Sequence, residues 1–218
     1  MRGPDGQGAG WVLDQIDETN RYTFDQACRV TAIRAAVEAG LLETNAKLSI
    51  NFLPNAVYSP QACIQLTLRT ARETGLPLDR LVFEFTETEA IDGAHLQSIV
   101  NAYRKFGFTT ATDDFGAGHS GLDRLAELQT DVIKLDMCLI RGIDRSTPKQ
   151  AIVEAMLGLT DRLGIAMVAE GVETEAELVT LARTGVRYVQ GYLIARPEIG
   201  ILPARNGWSL VEARARVA

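Results

Sequence analysis

Short apolar segments alternate with longer amphipathic stretches along most of the chain. Apolar runs bounded by polar turns are typical of buried strands, whereas apolar residues spaced three or four apart indicate helices. The first pattern predicts strands at Lys47–Phe52, Arg80–Thr86, Thr109–Asp113, Asp131–Leu135, Ala166–Ala169 and Tyr188–Gln190. The second predicts helices at Trp11–Asn20, Thr23–Ala39, Pro60–Thr74, Ala94–Phe106, Leu122–Leu128, Lys149–Leu163 and Thr174–Arg183. Gly40 is the predicted stop of the second helix, and Thr174 is the predicted N-cap of the last one.

The alternation of strands and helices indicates the fold class. Strands that alternate with helices pair in parallel through right-handed crossovers, so the predicted class is α/β. Two architectures fit six predicted strands in a chain of 218 residues. One is an open, doubly wound sheet. The other is a (β/α)8 barrel whose beginning is absent, because a closed barrel needs eight strands and about 250 residues. The hydrophobic pattern alone leaves both open.

Composition narrows the function classes. The chain is 46% hydrophobic and 23% charged, as in globular domains, and its net charge of −6 argues against a general binder of DNA or RNA. The three cysteines, Cys28, Cys63 and Cys138, match no metal-ligand spacing and are interpreted as reduced thiols. Apolar runs are too short to cross a bilayer, and the polar, Gly-rich residues 1–10 are neither a signal peptide nor an anchor. These features predict a cytoplasmic protein without a membrane segment.

Polar residues follow or end every predicted strand. Active sites of barrels and of open parallel sheets lie at the carboxyl ends of the strands, where the loops converge. Carboxylates together with an Asn carbonyl are hard oxygen donors, which suit Mg²⁺ or Mn²⁺ better than zinc. Many carboxylates in one pocket repel one another, and two divalent cations would relieve this and clamp a phosphodiester for hydrolysis. The residues in question are Asn51, Glu84, Glu87, Asp113, Asp114, Lys134, Asp136, Glu170, Glu173 and Gln190.

Simpler interpretations exist for some of these residues. A single acidic residue at a strand end is often only a helix N-cap, and Asp113 and Asp114, which precede a Gly-rich segment, also fit a turn. Lys134 is different, because it lies between Ile133 and Leu135 in an apolar strand. Burying an unpaired ammonium group is costly, so this lysine needs a partner or a function.

Six ordered segments resemble the EAL family of cyclic-di-GMP phosphodiesterases. They are Ser49–Pro54, Phe83–Glu87, Thr112–Leu122, Val132–Asp136, Val168–Thr174 and Val189–Tyr192. The resemblance extends from Arg2 to about Pro197, in the order and at about the spacings of the family. The segments Asn51–Val57 and Leu139–Asp144 are similar to the subgroup that is often fused to blue-light-sensing flavin (BLUF) domains.

The resemblance implies a TIM-like (β/α)8 barrel that binds Mg²⁺ or Mn²⁺, with two cations per active site. The matching metal ligands are Asn51, Glu84, Asp113 and Glu170, with Asp114 serving the second cation. In-line attack by a metal-activated water would open one phosphodiester of cyclic di-GMP and yield linear pGpG.

The resemblance also implies roles for residues beyond the metal ligands. Lys134 matches the lysine that orients or activates the water, and Glu173 belongs to the metal and water network. Glu87 matches the glutamate that holds the loop 114–122, which is thought to couple dimerisation to metal binding. The predicted substrate contacts are Arg2 to a phosphate, Gln190 near the metal and water network, and the apolar side chains of Phe52 and Leu53 to the bases. The expected partners are cyclic di-GMP, a second copy of the chain and an upstream sensor domain.

The resemblance is incomplete at its beginning. The glutamate of the Glu-Ala-Leu tripeptide is a family metal ligand four residues before the arginine that matches Arg2, and Met1 directly precedes Arg2 here. We therefore expect the first two strands to be missing from residues 1–200, the EAL domain, with 201–218 as a tail or final helix. The missing ligand favours one alternative, a catalytically impaired module that binds cyclic di-GMP or docks a protein. Another Mg²⁺-dependent barrel enzyme is a third interpretation.

Overall fold

A parallel sheet of six strands forms the centre of the molecule. The computed structural model describes residues 3–87, 92–118 and 121–203. The strands are β1 (Leu48–Asn51), β2 (Leu81–Thr86), β3 (Thr109–Phe115), β4 (Val132–Leu135), β5 (Ala166–Ala169) and β6 (Tyr188–Val189). Each strand pairs in parallel with the one before it in the chain, and all six coincide with strands that the hydrophobic pattern predicts.

The strand order distinguishes between the two architectures that the sequence leaves open. A doubly wound sheet reverses its strand order at a switch point, where the helices change to the other face. Here the order is β1-β2-β3-β4-β5-β6 without reversal. Right-handed crossovers between strands in this order place the connecting helices on one face, so that the sheet curls around its other face as in a barrel. The described sheet is therefore of the barrel type.

Nine α-helices lie in the described part of the chain. They are α1 (Ala9–Leu13), α2 (Arg21–Glu38), α3 (Pro60–Cys63), α4 (Gln65–Thr74), α5 (Gly93–Lys105), α6 (Gly121–Glu127), α7 (Met137–Ile140), α8 (Thr147–Leu163) and α9 (Glu175–Thr184). Short 3₁₀ helices occupy Leu41–Glu43, Pro54–Ala56, Leu78–Arg80 and Ile143–Arg145. None of the helices in these described ranges is long and apolar enough to span a membrane.

Two predicted helices differ from the observed ones. The segment predicted as one helix from Pro60 is divided at Ile64 into α3 and α4. The helix predicted at Trp11–Asn20 is only the short α1, which a turn follows. In that turn a carboxylate oxygen of Asp17 accepts hydrogen bonds from the backbone N–H groups of Thr19 (2.8 Å) and Asn20 (3.2 Å). A side chain that satisfies backbone donors in this way competes with helix formation.

The predicted helix ends are confirmed. The hydroxyl of Thr174 accepts a hydrogen bond from the backbone N–H of Glu177, whose side chain bonds back to the N–H of Thr174, which makes a capping box. Gly40 follows α2 and adopts a left-handed conformation with φ 88°, which costs glycine little. These local signals fix where α9 begins and where α2 ends.

A buried arginine anchors the segment that follows β1. Arg29 is fully buried, pairs with Asp25 at 2.7 Å and donates to the Tyr103 hydroxyl at 2.8 Å. Its guanidinium also lies over the rings of Phe52 and Tyr103, at 5.3 and 5.7 Å from their centroids. The second oxygen of Asp25 accepts the backbone N–H of Leu53 at 3.1 Å. The core thereby holds the chain directly after the carboxyl end of β1.

Candidate metal centre

Lys134 is a buried lysine in the middle of β4. Its neighbours Ile133 and Leu135 pack in the apolar core, and because side chains alternate along a strand, Lys134 points to the opposite face. There its Nζ lies 2.8 Å from an oxygen of Asp113, 2.8 Å from Glu170 and 3.2 Å from Glu84. Asp113 and Glu84 lie in the carboxyl-terminal halves of β3 and β2, and Glu170 directly follows β5. The partner that the sequence requires for Lys134 is therefore a group of three carboxylates.

Charge and burial oppose each other in this group. Burial acts to lower the pKa of Lys134, but the carboxylates of Glu84, Asp113 and Glu170 outweigh it and raise the pKa above its ordinary value. Burial raises the pKa of Glu170 to about 7, and the adjacent ammonium of Lys134 only partly opposes this rise. The lysine therefore stays charged, and it alone does not balance the three carboxylates around it.

A β-bulge brings two consecutive carboxylates to the same place. The register between β3 and β4 shifts between Thr112 and Phe115, and Asp114 adopts a left-handed conformation with φ 53°. Without the bulge, Asp113 and Asp114 would point to opposite faces of the sheet. Oxygens of Asp113, Asp114 and Glu170 instead lie within 4.8 Å of one another.

These three carboxylates fit a hard divalent cation. Burial raises the pKa of Asp114, the charges of Asp113 and Asp136 raise it further, and the charge of Lys134 only partly opposes the rise. A cation would relieve that repulsion, and carboxylate oxygens are the donors that Mg²⁺ and Mn²⁺ prefer. The donor set of these three residues therefore suits a divalent cation.

The two other predicted ligands flank this group. Asn51 is the last residue of β1 and is paired in register with Glu84 of β2. Asn51 is exposed, whereas Glu84 is buried against Lys134. The structure thus brings Glu84, Asp113, Asp114 and Glu170 together around Lys134, with Asn51 at the adjacent strand end.

Glu87 connects the end of β2 to the turn after β3. Its side chain is buried, and one oxygen accepts the backbone N–H of Gly116 at 2.7 Å. Its backbone N–H donates to the carbonyl of Asp113 at 3.0 Å, and the Arg124 guanidinium donates to its carbonyl. A Cβ at Gly121 would approach Glu87 Oε1 to 3.1 Å, so the chain after the turn also packs closely here. Glu87 therefore contacts the loop that the sequence assigns to it; residues 119–120 of that loop lie outside the described residues.

The side chain of Phe52, a predicted contact of the bases, packs in the core. Its ring is buried and packs against Phe83, Phe85 and Tyr103 at centroid distances of 5.5 to 6.0 Å. It follows β1 as predicted, but its side chain enters the core because Arg29 and the aromatic rings surround it. Leu53 is partly buried, and Arg2 lies outside the described residues.

Two further predicted residues, Gln190 and Glu173, make other contacts in the structure. Gln190 directly follows β6 and is exposed, with its backbone N–H bonded to the carbonyl of Ala169 at 2.8 Å. Glu173 is exposed and forms two hydrogen bonds with the guanidinium of Arg141, at 2.6 and 2.7 Å. Sequence reasoning does not identify Arg141, because a separation of 32 residues carries no signal of contact.

Comparison with known proteins identifies the family. The sequence model of the EAL domain matches residues 13–197. The chain belongs to the EAL domain family. A standalone EAL protein from Vibrio cholerae O395, solved in its c-di-GMP-bound form, is similar to this EAL chain with a TM-score of 0.88. The two are 46% identical, over 94% of this chain and 86% of that one. The manganese and cyclic-di-GMP complex of BlrP1 from Klebsiella pneumoniae has a TM-score of 0.84, with 36% identity over 91% of this chain and 50% of that one. The predicted α/β barrel of the EAL type is thereby confirmed.

Curated relatives are similar to this EAL chain over only part of their length. The blue light- and temperature-regulated antirepressor BluF of Escherichia coli K12 is 31% identical over 195 residues, which are 88% of this chain and 48% of BluF. This similarity agrees with the predicted blue-light subgroup. Other relatives are named cyclic di-GMP phosphodiesterases. The chain spans about half or less of the length of these relatives.

Proposed function

We propose that this EAL domain hydrolyses cyclic di-GMP to linear pGpG with the help of a divalent cation. The observation that carries the proposal is the group of carboxylates of Glu84, Asp113 and Glu170, gathered within 3.2 Å of the buried Lys134 ammonium. Phosphodiester hydrolysis needs this kind of site, since developing negative charge on the phosphate must be neutralised. Relatives of the same family that bear the name of cyclic di-GMP phosphodiesterases support the choice of substrate.

The residues that would hold the cation are Asp113, Asp114 and Glu170, whose oxygens lie within 4.8 Å of one another. Glu84 and Asn51 are the proposed additional ligands, and we propose Mg²⁺ or Mn²⁺, with two ions per site. Both ions take oxygen donors, and the manganese complex of BlrP1 supports this choice. A bound divalent cation supplies an acidified water and neutralises the phosphate oxygens.

The side chains of the domain would orient the reactants. Hydrolysis adds one water across a P–O bond: the water oxygen bonds to phosphorus, and the bond to the 3′ oxygen breaks. We assign Lys134 the role of holding the carboxylates together and orienting that water from the centre of the group. Glu87 keeps the turn after β3, and with it Asp114, in place through its bond to Gly116.

The predicted partners remain proposals. A second copy of the chain and an upstream sensor domain, of the blue-light type by similarity to BluF, are proposed as partners. The proposed location is the cytoplasm, where cyclic di-GMP acts as a second messenger.

The test is incubation of this chain with cyclic di-GMP and Mn²⁺, followed by chromatography. We expect pGpG to appear with Mn²⁺ and not with excess EDTA. Nucleotide that binds but stays intact, under conditions where Mn²⁺ also binds, would contradict the hydrolase proposal and favour the binding module that the sequence leaves open.

A further inference from the structure

Arg141 and Glu173 join the loops that follow β4 and β5. The two guanidinium nitrogens Nη1 and Nη2 donate to the two carboxylate oxygens of Glu173, at 2.6 and 2.7 Å. This is the two-pronged geometry that the planar guanidinium allows and that a lysine ammonium does not reproduce. The pair therefore defines both the position and the orientation of the Glu173 carboxylate.

One buried carboxylate holds the backbone at both ends of this ion pair. Glu177 is 2% exposed; its Oε1 accepts the N–H of Gly142 at 2.8 Å, and its Oε2 accepts those of Glu173 and Thr174 at 3.0 Å each. Burial acts to raise the pKa of Glu177, but these backbone donors outweigh burial and lower it below its ordinary value. The ionised carboxylate of Glu177 thus fastens the residue after Arg141 to Glu173 itself.

Two further contacts keep the same loops close together. Lys149 Nζ donates to the carbonyl of Arg141 at 2.6 Å. Gly171 has φ 71°, and a Cβ there would lie 2.4 Å from the Cβ of Met137, so the two loops touch without room for a larger residue. The loop from β5 carries Glu170, which contacts Lys134 of β4 at 2.8 Å. The Arg141–Glu173 pair and the Lys134–Glu170 pair of the candidate metal centre thus both join β4, or the segment after it, to the loop after β5.

The ion pair between Arg141 and Glu173 is too exposed to contribute much to folding stability, so a positioning role is the one to consider. The side chains of Arg141 and Glu173 are 46% and 36% exposed, and ion pairs with this much contact with water contribute little to folding stability. The pair does join the loop that contains Glu170 and Glu173 to the segment after β4. Partners outside the direct ligands that fix ligand geometry typically change metal affinity or activity by about 10–100-fold when they are removed.

We propose that Arg141 is a positioning residue, which acts through Glu173 to hold the loop after β5 in the geometry that the metal centre requires. The inference rests on the proposed function. The buried carboxylate of Glu177 holds the two loops together, because it accepts backbone N–H groups from both of them.

The test compares Arg141→Met with the matched control Arg145→Met. Arg145 lies in the same loop, is 90% exposed and pairs only with the adjacent Asp144 among the ion pairs of the described residues. We expect Arg141→Met to weaken Mn²⁺ affinity and to lower kcat by about 10-fold or more each, with a smaller change in KM. Arg141→Lys is expected to restore part of the loss, and Arg145→Met to match the unmodified protein.

A double-mutant cycle shows whether Arg141 acts through Glu173. In a Glu173→Ala background, Arg141→Met is expected to cause almost no further loss, because both hydrogen bonds of the pair are already removed. The proposal would be overturned if Arg141→Met kept a Mn²⁺ affinity and a kcat within twofold of the unmodified protein. It would also be overturned if Arg141→Met lowered both by the same factor with Glu173 present and with Glu173 replaced. If the unmodified chain binds Mn²⁺ but does not turn over cyclic di-GMP, the hydrolase proposal fails. The Mn²⁺ affinities of the unmodified protein, the two single variants and the double variant then still decide the role of Arg141.

Discussion

Replacement of Asp113 by asparagine is expected to abolish turnover while the fold stays intact. The amide keeps an oxygen for the Lys134 ammonium, which lies 2.8 Å from the carboxylate in the structure, but it removes the ligand charge. Charge stabilisation by a cation is worth several kcal/mol, and about 1.4 kcal/mol corresponds to a factor of ten, so kcat should fall by roughly a thousandfold or more. The free energy of unfolding in urea should change by about 1 kcal/mol or less, because Lys134 keeps the carboxylates of Glu84 and Glu170 as partners.

Asp161→Asn is the matched control for Asp113→Asn. Asp161 is exposed on α8 and pairs with Arg187, which precedes the amino end of β6, at 3.7 Å. Its turnover should equal that of the unmodified protein. If Asp113→Asn hydrolysed cyclic di-GMP at the unmodified rate, Asp113 could not be a ligand of the reactive centre.

Replacement of Lys134 by methionine is expected to affect both stability and turnover. Methionine keeps most of the apolar stem but leaves Glu84, Asp113 and Glu170 without their shared cation. Removal of one partner from a buried charge group costs about 3–5 kcal/mol, so the free energy of unfolding in EDTA should fall by about that amount. Saturating Mn²⁺ should restore part of it, because a ligand that binds only the folded state stabilises it.

The direction in which the pKa of Lys134 is shifted determines the pH at which Lys134→Met should be measured. The pKa of Lys134 is raised above its ordinary value of 10.5. Its contribution to stability is therefore fully present below that pH and is lost only as the pH rises through the raised pKa. Urea unfolding at pH 7 therefore measures the stability with Lys134 fully charged.

Turnover and a surface control complete the Lys134 prediction. Loss of a group that orients the attacking water should lower kcat by about 100-fold or more. Lys105→Met serves as the control, because Lys105 is exposed in the last turn of α5, and it should unfold and turn over like the unmodified protein. Unmodified stability of Lys134→Met in EDTA would mean that Lys134 does not balance the carboxylates.

Much of the fold could be predicted from the hydrophobic pattern, because that pattern reports which segments are buried. All six strands lie where apolar runs bounded by polar turns predict them. The choice between a barrel and a doubly wound sheet could not be made in this way, because strand order is a long-range property that periodicity does not record. The break at Ile64 was also missed, since the apolar positions on its two sides continue one helical pattern.

The candidate site was predictable in its residue types but not in its geometry. The apolar neighbours of Lys134 predicted that it has a partner, and three carboxylates confirm this. The bulge that brings Asp113 and Asp114 together depends on pairing with β4, which the local sequence does not reveal. Phe52 is a predicted base contact because it is an apolar residue at the expected mouth of the barrel, and the sequence does not reveal that its side chain packs in the core beside Arg29.

The most direct test of the account is the position of a bound cation. Crystals of the chain grown with Mn²⁺ and measured near the manganese absorption edge would give an anomalous peak for each bound ion. The account predicts a peak within about 2.5 Å of carboxylate oxygens of Asp113, Asp114 or Glu170, the range of cation–oxygen distances in proteins. A peak at another place, with these carboxylates free of manganese, would contradict it.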